Sequence, residues 1–62
     1  MIIIILTENN MITFVKMRKR VKFYEIKEYF SRYSEQEIRD ISLILIKKGL
    51  LKLENGYCIA GE

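Results

Sequence analysis

The sequence predicts a small α+β domain, mostly helical, in which three helices precede a C-terminal β-hairpin. Two observations support this fold class. Residues 34–49 carry matched start and stop signals for a long helix, and Asn55-Gly56 lies between two β-prone runs. A chain of 62 residues forms one domain at most, and it buries only about 60% of its unfolded surface, so its stability margin is thin.

The chain opens on a continuous apolar run at residues 2–6, which favours a short strand buried on both faces. The run is too short to span a bilayer, which needs about 20 residues, and it lacks the features of a secretory signal. We therefore expect a cytoplasmic protein, with residues 1–10 as an apolar strand or arm and residues 11–62 as the folded domain.

This run can cover the core or contact a second chain, since an exposed apolar edge would otherwise aggregate. The residues that would form such an interface are Ile2, Ile3, Ile4 and Ile5.

The segment from Met11 to about Lys19 predicts a first helix, with Thr7 or Asn9 as its cap. A strand is the alternative, because residues 12–15 are β-prone. The short β-prone run at residues 21–23 comes next.

A second helix is predicted over Tyr24–Phe30, where Ile26, Tyr29 and Phe30 recur at helical spacing with charges between them.

The third helix has the clearest boundaries. Ser34 and Glu37 match a capping box, with Tyr33 and Ile38 in the positions of a hydrophobic staple. At its other end, Gly49 suits the left-handed position that follows a helix. The sequence therefore predicts a helix that runs from this capping box to Lys47 or Lys48.

After Gly49, two β-prone runs flank Asn55-Gly56, and this dipeptide favours a type I′ turn. A two-residue loop pairs Leu51 with Ala60 and Glu54 with Tyr57. One face then carries Leu51, Leu53, Cys58 and Ala60, and the other carries Lys52, Glu54, Tyr57 and Ile59. On the first face, Cys58 is expected to be a buried structural thiol.

This order of elements resembles the winged helix-turn-helix family over residues 11–62. The matching residues are Ile12, Phe14, Val15, Val21, Glu25, Ile26, Ile41, Leu45, the stretch 47–51 and Gly56-Tyr57. The resemblance implies a module that binds DNA, RNA or protein, and regulation of transcription is its commonest role.

The sequence departs from that family in two places. Phe23 stands where the second helix usually has a Ser or Thr cap. In DNA-binding members the third helix enters the major groove, but here it opens with Glu35, Glu37 and Asp40 against Arg39. Acids at that position oppose binding to phosphates.

Between residues 16 and 22 the chain carries five cations and no acid: Lys16, Arg18, Lys19, Arg20 and Lys22. This cluster is either a patch that contacts phosphates or a solvated loop beside a helix C-terminus, where cations are stabilising anyway.

The leading hypothesis is a DNA-binding winged helix that acts as a homodimer. Gln36 and Arg39 would face bases, and the wing around Lys52, Asn55 and Gly56 would meet the adjacent backbone or the minor groove. The predicted phosphate contacts are Lys19, Arg20, Lys22, Arg32 and Lys47.

The alternative hypothesis is a small accessory subunit that docks on a larger nucleic-acid enzyme such as a DNA polymerase. Its motivation is that Leu43 and Ile46 fall on the outward side of the third helix, where apolar side chains need a covering. A buried helix would explain them equally well.

An enzyme is not expected, since no nucleophile with a base, phosphate loop or metal-ligand spacing is found. The chain has no histidine, which excludes a histidine-based triad and a Cys/His zinc finger. We expect no cofactor and no metal.

Overall fold

The computed structural model describes residues 4–61 and contains three helices and a three-stranded antiparallel sheet. Its elements are α1 (Glu8–Arg18), β1 (Arg20–Lys22), α2 (Phe23–Tyr29), α3 (Glu35–Lys47), β2 (Leu51–Glu54) and β3 (Tyr57–Ala60). The strand order is β1-β3-β2. The predicted α+β class is confirmed, and the layout is that of a winged helix.

The predicted N-terminal strand is wrong for the residues of the run that the structure describes. Residues 4–7 have no regular structure; Ile4 and Leu6 pack against the core, and Ile5 is exposed. The side-chain amide of Asn10 donates to the Ile5 carbonyl at 2.6 Å, so this arm is held by the helix that follows it. Ile2 and Ile3 lie outside the described residues.

Helix α1 confirms the helical alternative for residues 11–18 but begins earlier, at Glu8. Thr7 is the cap, and its hydroxyl accepts the Asn10 N–H at 3.0 Å. Met11, Phe14 and Val15 are buried at i, i+3 and i+4, so tertiary packing outweighs the β propensity of this segment.

Helix α2 begins one residue earlier than predicted, at Phe23, and its cap position is occupied by Lys22. The Lys22 backbone N–H donates to Glu25 Oε1 at 2.8 Å, which supplies half of a capping box without a Ser or Thr. Phe23 is therefore the first helical residue rather than the cap.

Helix α3 confirms both predicted ends. The Ser34 N–H donates to Glu37 Oε1 at 3.0 Å, and the Glu37 N–H donates to Ser34 Oγ at 3.2 Å. At the C-terminal end Gly49 has a φ of 79°. The Leu50 N–H reaches the Leu45 carbonyl at 2.9 Å, as a Schellman motif requires.

The hairpin has the predicted register, and Asn55 and Gly56 both have positive φ. Strand β1 pairs with β3 so that Val21 lies opposite Cys58, and on the other side of β3 the β2 residue Leu53 also lies opposite Cys58. These three residues form the middle row of the sheet. This middle row points toward the helices, because Val21 and Cys58 are buried.

The core lies between the three helices and the inner face of the sheet. Its buried side chains are Met11, Phe14, Val15, Val21, Ile26, Phe30, Ile38, Leu45, Leu51 and Cys58. Buried Ser42 is satisfied by donating to the Ile38 carbonyl at 2.8 Å. Within residues 4–61, no helix has the length and apolarity needed to cross a membrane.

Candidate nucleic-acid interface

The outer face of the sheet carries two of the five predicted phosphate contacts, Arg20 and Lys22, together with the predicted wing contact Lys52. Antiparallel pairing aligns Arg20, Ile59 and Lys52 in one row across the three strands. A second row consists of Lys22, Tyr57 and Glu54. We call these six residues the basic sheet face; it holds three cations and one carboxylate, a net charge of 3 − 1 = +2.

Tyr57 lies at the centre of this face, between two cations of the edge strand β1. The Arg20 guanidinium is 4.8 Å from the ring centroid, and the Lys22 ammonium is 5.3 Å from it. Both cations are exposed, while Tyr57 is half-buried. The ring therefore holds two positive groups close together on an open surface by cation–π attraction.

Ion pairing divides the cations of the described residues into two groups. Arg18, Lys27, Arg39 and Lys48 each lie within 4.0 Å of a carboxylate. The other seven have no ion pair within residues 4–61: Lys16, Lys19, Arg20, Lys22, Arg32, Lys47 and Lys52. Four of these seven lie between residues 16 and 22, so unneutralised charge is concentrated at the end of α1 and along β1.

Glu35, in the first turn of α3, is engaged by two cations of the protein. Glu35 Oε2 accepts from Arg39 Nη2 at 2.7 Å and from its Nε at 3.0 Å, and Lys27 donates to Glu35 Oε1 at 3.3 Å. Hydrogen bonds from Arg39, then from Lys27, hold the pKa of the Glu35 carboxyl below its usual value. Arg39 also lies over the Phe23 ring, 5.0 Å from its centroid.

The two predicted base-facing residues are both exposed on α3 and both engaged with acids of the same helix. Arg39 is bound to Glu35, and Gln36 Nε2 donates to Asp40 Oδ1 at 2.8 Å. A base would have to displace these i,i+4 partners before either side chain could read it.

A groove with mainly apolar walls lies between α3 and the inner side of the hairpin. Its volume is about 480 Å³. The lining residues are Phe23, Arg39, Ser42, Leu43, Ile46, Leu53, Asn55, Gly56 and Cys58. We call this region the α3–wing groove. Leu43 and Leu53 are 55% and 66% exposed, so two large apolar side chains open onto solvent here.

The outward assignment of Leu43 and Ile46 is correct in part. Leu43 is exposed, whereas Ile46 is half-buried and packs against the core. Helical angle alone misplaces Ile46 because the hairpin returns beside the end of α3 and covers it.

The remaining predicted contacts are dispersed. Arg32 is exposed in the turn between α2 and α3, Lys47 is exposed at the end of α3, and Asn55 is exposed at the tip of the hairpin. Lys19 is exposed between α1 and β1, next to the basic sheet face. The predicted set thus divides between the sheet surface, the α3 surface and the wing tip.

Sequence reasoning missed two contributors to these surfaces. Tyr57 was placed on the outer face of the hairpin but not beside Arg20 and Lys22, because no local signal indicates that β1 pairs with β3. Leu53 was assigned to the inner face, where it extends beyond the core and lines the groove. The alternating pattern of residues 20–22 indicates a strand with Val21 inward, but it matches either strand of the hairpin.

Burial leaves the single cysteine without a reactive environment. Cys58 is buried, and desolvation raises the pKa of its thiol. Among residues 4–61 there is no group of three or more His, Cys, Asp or Glu side chains placed to hold a metal ion.

No protein-family model, curated protein or solved structure matches the chain. The winged helix resemblance therefore rests on element order, strand order and the positions of the residues described above.

Proposed function

We propose that this chain is a small nucleic-acid-binding protein that contacts phosphates through the basic sheet face and the adjoining end of α1. The observation that supports it is that four cations between residues 16 and 22, and Lys52 across the sheet, have no ion pair within residues 4–61. Of the acids nearby, Glu25 accepts the Lys22 N–H and pairs with Arg18, and Glu54 is the one carboxylate on the face itself. Polyanion binding uses such unneutralised charge.

Binding of this kind is governed by charge rather than by base sequence. The proposed base-reading role of Gln36 and Arg39 receives less support, because both are held by acids of their own helix. Regulation of transcription remains the role that the winged helix resemblance implies, with DNA as the nucleic acid.

A salt titration with labelled duplex and single-stranded oligonucleotides tests the proposal. We expect binding at low salt that weakens linearly on a logarithmic salt axis. The Arg20→Glu, Lys22→Glu variant should lower the steepness by about 0.7–0.9 for each phosphate that it no longer neutralises. If neither oligonucleotide binds at low salt, or if binding is insensitive to both substitutions, the proposal is wrong.

A second candidate function is that of a small accessory subunit docked on a larger nucleic-acid enzyme such as a DNA polymerase. The observation that favours it is the α3–wing groove, where Leu43 and Leu53 are more than half exposed. Apolar side chains clustered in this way are typical of protein contacts.

The native mass of the assembly distinguishes the two candidates. Under the second, the chain from native cells elutes in a stoichiometric complex with one large protein, and Leu43→Asp releases it. Tyr24→Asp is the matched control, because Tyr24 is 57% exposed and lies outside the groove. A homodimer or monomer unaffected by Leu43→Asp would contradict the second candidate.

A further inference from the structure

The centre of the basic sheet face is apolar, although its edges are charged. Tyr57 and Ile59 both lie on β3, the central strand, and both are half-buried. Two residues apart on a strand, they point the same way at a spacing of about 6.6 Å. Arg20 and Lys22 flank them on one side, and Lys52 and the carboxylate of Glu54 flank them on the other.

This arrangement offers a ligand two kinds of contact at once. The central strand presents an aromatic ring and an aliphatic side chain, and the edge strands present cations within reach of the same ligand. The exterior of a duplex supplies phosphates and sugars but keeps its base faces stacked inside. A single strand exposes base faces together with phosphates, and so it can use both the centre and the edges.

We propose that the basic sheet face binds single-stranded nucleic acid, with one base stacked on Tyr57, a neighbouring base against Ile59, and phosphates against Arg20, Lys22 and Lys52. This inference rests on the proposed nucleic-acid-binding function and specifies its ligand. The cation–π contacts of Arg20 and Lys22 with Tyr57 do not prevent stacking. A base–aromatic contact is of comparable strength to the cation–π contact that it replaces, and a displaced cation remains beside the adjacent phosphate.

The α3–wing groove does not offer the same combination. Its apolar residues Leu43 and Leu53 adjoin Arg39, which is already ion-paired with Glu35. A single strand would find apolar surface there but no free cation among the residues that line it. The charge complementarity therefore favours the sheet.

The test compares fluorescence anisotropy of labelled oligothymidylate and oligouridylate, each about 12 nucleotides long, with a duplex of equal length at one salt concentration. We expect at least one single strand to bind on the order of tenfold more tightly than the duplex. Tyr57→Leu should weaken single-strand binding on the order of tenfold and leave duplex binding unchanged.

Two variants separate stacking from folding. Tyr57→Phe keeps the ring and should retain wild-type affinity, and Tyr24→Leu removes an exposed tyrosine elsewhere and should also retain it. If the duplex binds as tightly as the single strands, or if Tyr57→Leu weakens both equally, the single-strand proposal is wrong while nucleic-acid binding stands. If no oligonucleotide binds at low salt, both proposals are wrong.

Discussion

The basic sheet face and the α3–wing groove are built from the same hairpin, yet they have opposite chemistry. Alternation along β2 sends Lys52 outward and Leu53 toward α3, and along β3 it sends Tyr57 outward and Cys58 inward. Charge and aromatic surface therefore collect on one side of a single layer, and apolar surface on the other. The two sides of one three-stranded sheet thus contribute to two surfaces of different chemistry.

The groove also differs from the sheet face in how its polar groups are used. Arg39, at its edge, is paired with Glu35, whereas the charged groups of Arg20 and Lys22 lie over the Tyr57 ring and have no ion pair within residues 4–61. A paired cation must give up its partner to bind a ligand, and an unpaired one need not. This is why we assign the polyanion to the sheet.

The largest expected effect comes from weakening the contact between the hairpin and the core, because the basic sheet face and the α3–wing groove both depend on the hairpin. Leu51 is 1% exposed, so Leu51→Ala should lower the free energy of unfolding by about 2–5 kcal/mol, a large fraction of the stability of so small a domain. Urea unfolding measures it, and oligonucleotide binding should disappear with the fold.

Leu53 provides the matched control, two residues along the same strand and 66% exposed. Leu53→Ala should change the free energy of unfolding by less than about 0.5 kcal/mol and leave oligonucleotide binding intact. Equal losses from the two substitutions would mean that the groove is part of the core.

A smaller effect is expected from the acid that neutralises the α3 surface. Glu35→Gln removes the carboxylate that binds Arg39, so Arg39 becomes free to contact a ligand. If the sheet face is the binding surface, single-strand affinity measured by anisotropy should be unchanged. A marked gain in affinity would indicate that α3 belongs to the nucleic-acid interface.

The same carboxyl contributes a weak pH dependence to stability. Its folded-state pKa is lowered by Arg39 and then Lys27, so its contribution is present above the unfolded pKa and is lost as the pH falls through the folded pKa. The fall in stability below about pH 4.5 should therefore be slightly shallower in Glu35→Gln. If the urea midpoint depends on pH in the same way in Glu35→Gln and in the wild type, the ion pair of Glu35 with Arg39 contributes nothing to stability.

The smallest effect concerns Cys58. Burial raises its pKa above the ordinary value of 9.0, so the fold favours the neutral thiol. The stability that the fold gains from the neutral Cys58 thiol is fully present below the pKa of the unfolded state, and it is lost as the pH rises through the pKa of the folded state. Iodoacetamide should modify native Cys58 only at the rate of unfolding; rapid labelling of the folded protein would contradict its burial.

Local signals predicted the parts of this fold that depend on neighbouring residues. The capping box at Ser34 and Glu37, the positive φ at Gly49 and the Asn55-Gly56 turn are each decided within a few residues. These signals therefore located α3 and the hairpin correctly.

Contacts between residues far apart in the sequence were not predictable in the same way. The apolar run predicted a strand over residues 2–6, but β propensity needs a neighbouring strand to be realised. In the described part of this run, Ile4 and Leu6 pack on the core without forming a strand. The approach of β1 to Tyr57 depends equally on partner choice. The engagement of Gln36 and Arg39 could have been anticipated, since Asp40 and Glu35 stand at i,i+4 spacing.

The most direct test of the central claim compares two charge reversals of equal size. Arg20→Glu, Lys22→Glu changes the basic sheet face, and Arg32→Glu, Lys47→Glu changes two exposed cations of the α3 side that also lack ion pairs within residues 4–61. We predict that the first variant abolishes single-strand binding at moderate salt while the second retains most of it. Abolished binding in the second variant, with the first unaffected, would contradict the assignment of the ligand to the sheet.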